Sequence, residues 1–445
     1  MALAKNSHEV RDPIHVFIRL DQDELKVLNS RWFQRLRQIH QLALSYLVYP
    51  GATHRRFEHS LGAMELAGRV FDVVTAADNV TDEVRSVVPE INRDTAHRAY
   101  WRRVVRIAAL CHDIGHLAFS HAAEHALLPS GWSHERLGKE ILLSEDMRRI
   151  FDSMTPPLRA DDVVKLALGP KKAEGLQFSN WEAILSEIIV GDAFGVDRID
   201  YLLRDSHHMG VAYGKFDHYR LIDTLRVLKS HHANEPSIGL EHGGLQSAEA
   251  LLLARYMMYS QVYFHPVRRI YDIHLQEFLS AWLPGGKFPV DPRKHLELTD
   301  NEVGAAITQA AANPQSSGHD SARRILERAH FRVLYHRNPT DLAKNPEAGT
   351  LVFEAAKSQF GADQIRRDSY REKGAPPDFP VLTRDDRVES AILMSDTLGK
   401  LPLVVVDTVY ISPEKRAEAR EWLSKNRESG SHYYTSEVRR ADEGV

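Results

Sequence analysis

Apolar positions recur at helical spacing along most of the chain. Leu61, Met64, Ala67 and Val70 mark one side of a helix that opens near Arg56-Phe57-Glu58-His59, while Val104, Ile107 and Ala108 mark another that runs into Cys111. Before them, Asp12 to Leu20 mixes β-branched and polar residues, which predicts a short strand or hairpin, and Asp21 or Asp23 is placed to cap a helix running through Leu25 to Gln41. Pro50-Gly51 forces a turn ahead of the His59 helix, and Gly115 allows a sharp turn after the Cys111 helix. Ser144 to Phe194 reads as helical, broken at Pro156-Pro157 and Leu168-Gly169-Pro170, with Lys171-Lys172 as solvated loop charges. A further helix carries Asp197 to Asp205 and ends near His207-His208-Met209-Gly210; the next helical block spans Leu245 to Leu279.

The texture changes beyond Pro284. Gly285-Gly286, Pro289, Pro292 and Asn313-Pro314 read as loops, Val333-Tyr335, Phe379-Leu382 and Leu403-Val406 as strands, and Glu414 to Asn426 as an amphipathic helix; the polar tail from Arg427 is expected to be mobile. The expectation is a mainly α protein, a helical core over residues 1–283 with a smaller α+β C-terminal lobe over 284–445. That lobe would serve structure, oligomerisation or regulation. A chain of 445 residues exceeds what one core usually holds, which also favours two lobes.

Composition narrows the class. With 43% hydrophobic and 27% charged residues the chain is an ordinary globular protein, and no apolar run approaches the ~18 residues of a membrane span. Residues 1–10 lack an apolar signal core and Cys111 is the only cysteine, so a reducing, cytoplasmic setting without disulfides is expected. A net charge of −4 argues against a general nucleic-acid coat protein and requires any polyanionic ligand to be bound by local cations or a metal.

The chemistry concentrates in a few places. His112-Asp113, held at the end of a packed helix, offers an imidazole and a carboxylate to a divalent ion. His59 in the first turns of one helix and Asp197 on another are the candidates to complete the ligand set. Asp197, Tyr201 and Asp205 share one face at i, i+4 and i+8, although a helix bearing Asp197, Asp200, Arg204 and Asp205 also fits a solvated charged surface. Arg56, three residues before His59, suits a phosphate oxygen, and His116 and His121 lie just past the metal pair. Residue types leave magnesium, manganese, iron and zinc all open.

The blocks YPGATHRRFEHSLG (from Tyr49), CHDIGHLAFSH (from Cys111), WSHE (from Trp132) and VDRIDYLLRDSHHMG (from Val196), in this order, resemble the HD phosphohydrolase superfamily and within it the deoxynucleoside triphosphate triphosphohydrolase branch. The resemblance runs from about Asp12 to about Tyr271. It implies metal-dependent hydrolysis of a dNTP to deoxynucleoside and inorganic triphosphate, with His59, His112, Asp113 and Asp197 as metal ligands. It also implies His116, His121 and His134 on phosphates and protons, with Glu124 orienting one imidazole. Gln41 would read the 3′-hydroxyl and Leu42 crowd the 2′ carbon. Arg198 would meet the triphosphate, Tyr201 and Asp205 would hold the sugar, and Tyr271 would pack beneath it.

By the same resemblance Arg37 would belong to an activating-nucleotide site between subunits of a homo-oligomer, a dimer or tetramer. Asn29 stands where a guanine-reading aspartate is expected and Arg11 where a small amide is, while Tyr263 falls near a position that carries an arginine in relatives. Arg35 and Arg37 fit a solvated helix face equally well, and Arg268-Arg269 fit either a nucleotide site or a salt bridge. The alternative functions are another HD phosphohydrolase (a nucleotidase, a phosphodiesterase or a single-strand nuclease) and a nucleotide-sensing scaffold without turnover.

Overall fold

The computed structural model describes residues 7–122, 124–229, 235–372 and 377–426, with the side chains of His121, His125 and Lys344 outside that description. The tail from Arg427 also lies outside it. Helices dominate. Nine short strands accompany them among the described residues: β1 (His8–Asp12), β2 (Val16–Leu20), β3 (Leu225–Lys229), β4 (Pro236–Glu241), β5 (Arg332–His336), β6 (Ile365–Arg371), β7 (Pro380–Leu382), β8 (Val388–Ser390) and β9 (Val405–Ile411). They form an antiparallel β1-β2 hairpin, a four-stranded sheet ordered β3-β4-β7-β8 and a three-stranded sheet ordered β5-β9-β6. Among the described residues no helix is long and apolar enough to cross a membrane.

Two compact units emerge, and they interleave along the chain. One comprises the chain up to Met258 with Pro284–Gly304 and Ala375–Pro402; the other comprises Tyr259–Leu283, Ala305–Gly374 and the chain from Leu403. A single cut between 283 and 284 therefore does not describe the division. Segment 284–304 is tied into the first unit by backbone groups: Arg35 donates to the carbonyls of His295 and Leu298, and Asp300 accepts from the amides of His40 and Phe119. Segment 377–402 joins the same unit because β7 pairs in parallel with β4. Conversely, Arg269 forks onto Asp368 and Arg366 pairs with Glu277, which binds Tyr259–Leu283 to the second unit. These two arginine pairs favour the salt-bridge reading of Arg269.

In the first unit the predicted hairpin is present, and Asp21 caps the helix Gln22–Leu28 in a capping box with Glu24. That helix does not continue to Gln41. It stops at Leu28, and the Ser30 hydroxyl accepts from the Phe33 amide to start a new turn, Arg31–Gln34, followed by the 3-10 segment Arg35–Gln38. The change of direction buries Trp32, Phe33 and Leu36.

Two long helices, Arg56–Val74 and Thr95–Cys111, form the centre of this unit. Met64, Ala67, Val70 and Phe71 of the first and Val104, Ile107, Ala108 and Leu110 of the second are fully buried. Gly68 allows their approach, since a Cβ there would lie 2.9 Å from Arg106 Nη1. Arg106 is itself buried, its charge compensated by Glu24 at 2.5 Å. Helices Ala160–Leu168, Asn180–Val190 and Val196–Met209 surround this pair, and Met209 gives way to Gly210 in the left-handed conformation as expected.

The second unit is the small α+β lobe. β9 sits between β5 and β6, antiparallel to both. The helix Ala348–Phe360 and the helix over 416–426 cover the sheet, burying Leu334, Val352, Ala356, Ile365, Val409 and Ala419 together. The helical block expected from Leu245 to Leu279 is broken. It runs from Leu245 to Met258, changes to a π turn over Tyr259–Tyr263, and restarts at Pro266, which supplies no amide to a preceding helix.

Glu187 joins helix and sheet in the first unit, accepting from the Ile238 amide of β4 at 2.8 Å. Burial, with Asp192 adding its charge and the Ile238 bond opposing, pushes this carboxyl up to about 7. The folded protein therefore holds a proton that the unfolded chain releases, and stability falls as pH rises from the ordinary value of 4.5 towards 7. Glu187→Gln is expected to be near neutral at pH ~5 and stabilising by about 1–3 kcal/mol at pH ~8 in urea unfolding. Parallel stability curves for the two proteins across that range would contradict this.

Candidate active site

Three helices of the first unit deliver the central side chains. His59 sits in the first turn of Arg56–Val74, His112 and Asp113 follow the last turn of Thr95–Cys111, and Asp197 opens Val196–Met209. The four predicted ligands meet. His59 Nε2 lies 3.0 Å from Asp197 Oδ1 and 3.7 Å from Asp113 Oδ2, and His112 Nε2 lies 3.4 Å from both Asp113 Oδ1 and Asp197 Oδ1. His59, His112 and Asp113 are buried, whereas the Asp197 side chain is 38% exposed, so the cluster opens to solvent on that side.

The donor set fits a divalent ion. Each imidazole has its Nδ1 occupied, His59 donating to Asp200 Oδ2 at 2.8 Å and His112 to the Ala109 carbonyl at 2.7 Å, so both present Nε2 to the same carboxylates. His112 Nε2 is buried without a hydrogen-bond partner, the kind of atom that a metal satisfies. Burial opposes the charged form of His59, but hydrogen bonds to Asp197 and Asp200 outweigh it and push the ring up to about 10. Against the effect of burial, His112 and His59 hold the Asp197 carboxyl below the usual range.

Behind His59 lies a layer that the sequence reading missed. Asp200, with no exposed surface, accepts from His59 Nδ1, from His15 Nε2 at 2.7 Å, and from Arg204 Nε and Nη2 at 2.8 and 3.0 Å. Arg204 is also fully buried and donates through Nη1 to Asp12 at 2.8 Å. The charged surface considered for this helix is thus an interior network, with Asp205 buried as well. The one sequence signal is Gly62 on the facing helix, where a Cβ would stand 1.9 Å from Asp200 Oδ1 and 2.4 Å from Arg204 Nη2.

The residues expected to handle phosphates and protons flank the cluster. His116 Nε2 is 3.0 Å from Asp113 Oδ1, and its ring stacks on His134 at 3.9 Å between centroids. Burial, with the Arg56 and His134 charges, holds His116 well below the usual imidazole value and therefore neutral. His134 donates through both its amide and Nδ1 to Glu124 Oε1, at 2.8 and 2.7 Å, so Glu124 orients this imidazole. Arg56 is buried, bonded to Asp113 Oδ2 and to Ser120 Oγ. Gly115 serves close approach, not a left-handed turn: its φ is not positive, and a Cβ would lie 2.1 Å from the His134 carbonyl. Arg35 is no solvated charge, since it is buried and donates to the His116 carbonyl at 2.7 Å.

The remaining predicted residues divide. Gln41 and Leu42 are buried, and the Gln41 side-chain oxygen has no hydrogen-bond partner. Asp205 accepts from the buried His54 at 2.7 Å, and Tyr201 lies half-buried between Asp197 and Asp205 on the same helix. Arg198 is turned onto the carbonyls of Gly191 and Asp192. Arg37 is exposed, its guanidinium 3.5 Å above the Phe57 ring. Tyr271 belongs to the second unit, where it is fully buried and packs against His330 at 4.7 Å between ring centroids. His121 lies outside the described side chains.

A mainly α unit in which paired histidines and aspartates converge at helix ends defines a metal-dependent class of phosphohydrolase. Family comparison agrees: an HD domain matches residues 56–205 and an HD associated region residues 216–359. The chain belongs to the HD-domain phosphohydrolase family. It is 38% identical over 263 residues to the uncharacterized protein MJ1154 of Methanocaldococcus jannaschii, covering 59% of this chain and 47% of that protein. It is 28% identical over 409 residues to the deoxynucleoside triphosphate triphosphohydrolase SAMHD1 of Gallus gallus, covering 84% and 62%. The chain thus spans about half to three-fifths of the length of these curated relatives. A crystal structure of a hypothetical protein from Aquifex aeolicus matches with a TM-score of 0.76 at 30% identity, over 94% of this chain and 100% of that one. HD domains bind divalent metals, and His59, His112 and Asp113 form a cluster that could hold one.

Because Gly62 leaves the space that Asp200 and Arg204 fill, Gly62→Ala is expected to displace that pair. The predicted loss is about 3 kcal/mol or more of stability in thermal or urea unfolding. An unchanged midpoint would show that the helices can separate at no cost.

Proposed function

We propose that this protein hydrolyses deoxynucleoside triphosphates to deoxynucleoside and inorganic triphosphate with a divalent ion held by His59, His112, Asp113 and Asp197. The observation that carries the metal-dependent part is the convergence of those four side chains, from three helices, with both Nε2 atoms turned inward. The choice of dNTP is supported by the similarity to SAMHD1, a deoxynucleoside triphosphate triphosphohydrolase, over 84% of this chain. When bound, the ion would neutralise phosphate charge and lower the pKa of a water for attack on the α-phosphorus.

The chain's own groups would do the rest. Arg56, fixed by Ser120 and Asp113, brings a buried positive charge to the phosphate side of the cluster. Glu124 accepts the Nδ1 proton of His134, which leaves Nε2 to exchange a proton with the departing 5′-oxygen; His116, kept neutral and stacked on that ring, prevents a second positive charge beside it. Cleavage of the bond between the α-phosphorus and the 5′-oxygen then gives a neutral alcohol and triphosphate. Gln41, Leu42, Tyr201 and Asp205 are proposed for the sugar, the unpartnered Gln41 oxygen being suited to a hydroxyl. Arg198 would have to leave the Gly191 and Asp192 carbonyls to reach a phosphate. The proposal includes a homo-oligomer, with an activating nucleotide that the exposed Arg37 would meet.

Incubation with the four dNTPs and GTP, with magnesium, manganese, iron or zinc, is expected to release inorganic triphosphate from dNTPs, identified by ion chromatography. Asp197→Ala should lower that rate at least ~100-fold. Release of orthophosphate or pyrophosphate instead, or an undiminished rate in the variant, would refute the reading. Glu124→Gln is expected to reduce kcat about 10–100-fold with little change in KM and to reshape the pH–rate profile. A raised KM at unchanged kcat would assign Glu124 to binding instead.

A further inference from the structure

We infer that the turn of the N-terminal hairpin is part of the metal centre, with Asp12 and His15 acting as positioning residues that fix the His59 imidazole through Asp200 and Arg204. The inference rests on the reading that His59 holds the ion. It begins with the Asp200 carboxylate, whose two oxygens each accept twice: Oδ1 from His15 Nε2 and Arg204 Nη2, Oδ2 from His59 Nδ1 and Arg204 Nε. A carboxylate has about four lone-pair sites, so none is left to let the group swing. Its orientation decides which nitrogen of His59 carries the proton and where Nε2 points.

Three of the four donors are set by the hairpin, one from His15 and two from Arg204. His15 contributes one directly, and Asp12 aims Arg204 by accepting its Nη1 at 2.8 Å. Asp12 also shapes the turn, because its Oδ1 accepts from the amides of both Ile14 and His15 at 2.9 Å. The next residue, Val16, has a φ of 65°, a conformation costly for a β-branched side chain. The bend throws Val16 and Phe17 outward, 54% and 44% exposed, while His15 points inward with 3% exposure. A turn needed only to join two strands would not require an interior histidine and a buried aspartate. Delivering donors to Asp200 uses both.

The test measures manganese binding to the full chain by isothermal titration calorimetry, with thermal unfolding of each metal-free protein alongside. Wild type should bind about one equivalent. Asp12→Asn and His15→Ala should bind 10–100-fold more weakly, while His15→Gln, which keeps a donor within reach of Asp200, should stay within about 3-fold of wild type. Tyr100→Phe, which removes a 2.7 Å hydrogen bond to Asp162 elsewhere in the unit, should lower the unfolding temperature without changing manganese affinity. If His15→Ala does not fold, His15→Asn, too short to reach Asp200, replaces it. Variants that melt earlier yet bind manganese as wild type does would overturn the inference and leave the hairpin a purely structural element. A wild-type protein that binds no manganese would overturn the metal reading itself.

Discussion

Everything at the centre of this protein depends on one buried carboxylate having all its lone pairs occupied. Asp200 carries a charge into a place without water, and four hydrogen bonds, two of them from a guanidinium, compensate for its lost hydration. Removing any single partner would leave a buried charge partly unmet, which is far more costly than never having built the group. The network therefore holds three separated stretches, the hairpin turn, the His59 helix and the Asp197 helix, in one relative geometry. That geometry is what allows Asp197 and Asp200, three residues apart on one helix, to bracket the two nitrogens of one imidazole.

The surrounding fold is arranged to leave room for such contacts. Glycines at 62 and 115 stand where a methyl group would collide with Asp200 or with the His134 carbonyl. Small residues at these crossings bring polar groups to hydrogen-bond distance that side-chain packing would otherwise keep apart. Arg35 does a similar task from the other side, tying the His116 carbonyl to the segment at His295 and Leu298. The chain at 284–304 thus returns to buttress these motifs, and the two units interleave along the sequence.

The proposed metal ligands were legible in the sequence because each lies near the end of a helix, in a block of unusual local chemistry. A carboxylate at Glu124 orienting a histidine was implied by the family resemblance, and in the structure Glu124 accepts from His134 Nδ1 at 2.7 Å. The Asp200 network was not legible: carboxylates and arginines at i, i+3 and i+4 look the same on a solvated face and in an interior, and only the facing Gly62 distinguishes them. The placement of 284–304 was illegible because its anchors are main-chain carbonyls and amides, which carry no residue identity. The surroundings of Tyr271 were illegible because its ring partner, His330, lies 59 residues away in the chain. The break at Ser30 was the one local feature open to a better reading, since a serine before Phe33 is an ordinary helix start.

The most direct measurement is anomalous X-ray diffraction from crystals of the full chain soaked in manganese. The account predicts one strong peak within about 2.0–2.3 Å of His59 Nε2, His112 Nε2 and oxygens of Asp113 and Asp197, with His59 Nδ1 still bonded to Asp200. A peak elsewhere, or an ion bound through His59 Nδ1 with Asp200 displaced, would contradict it.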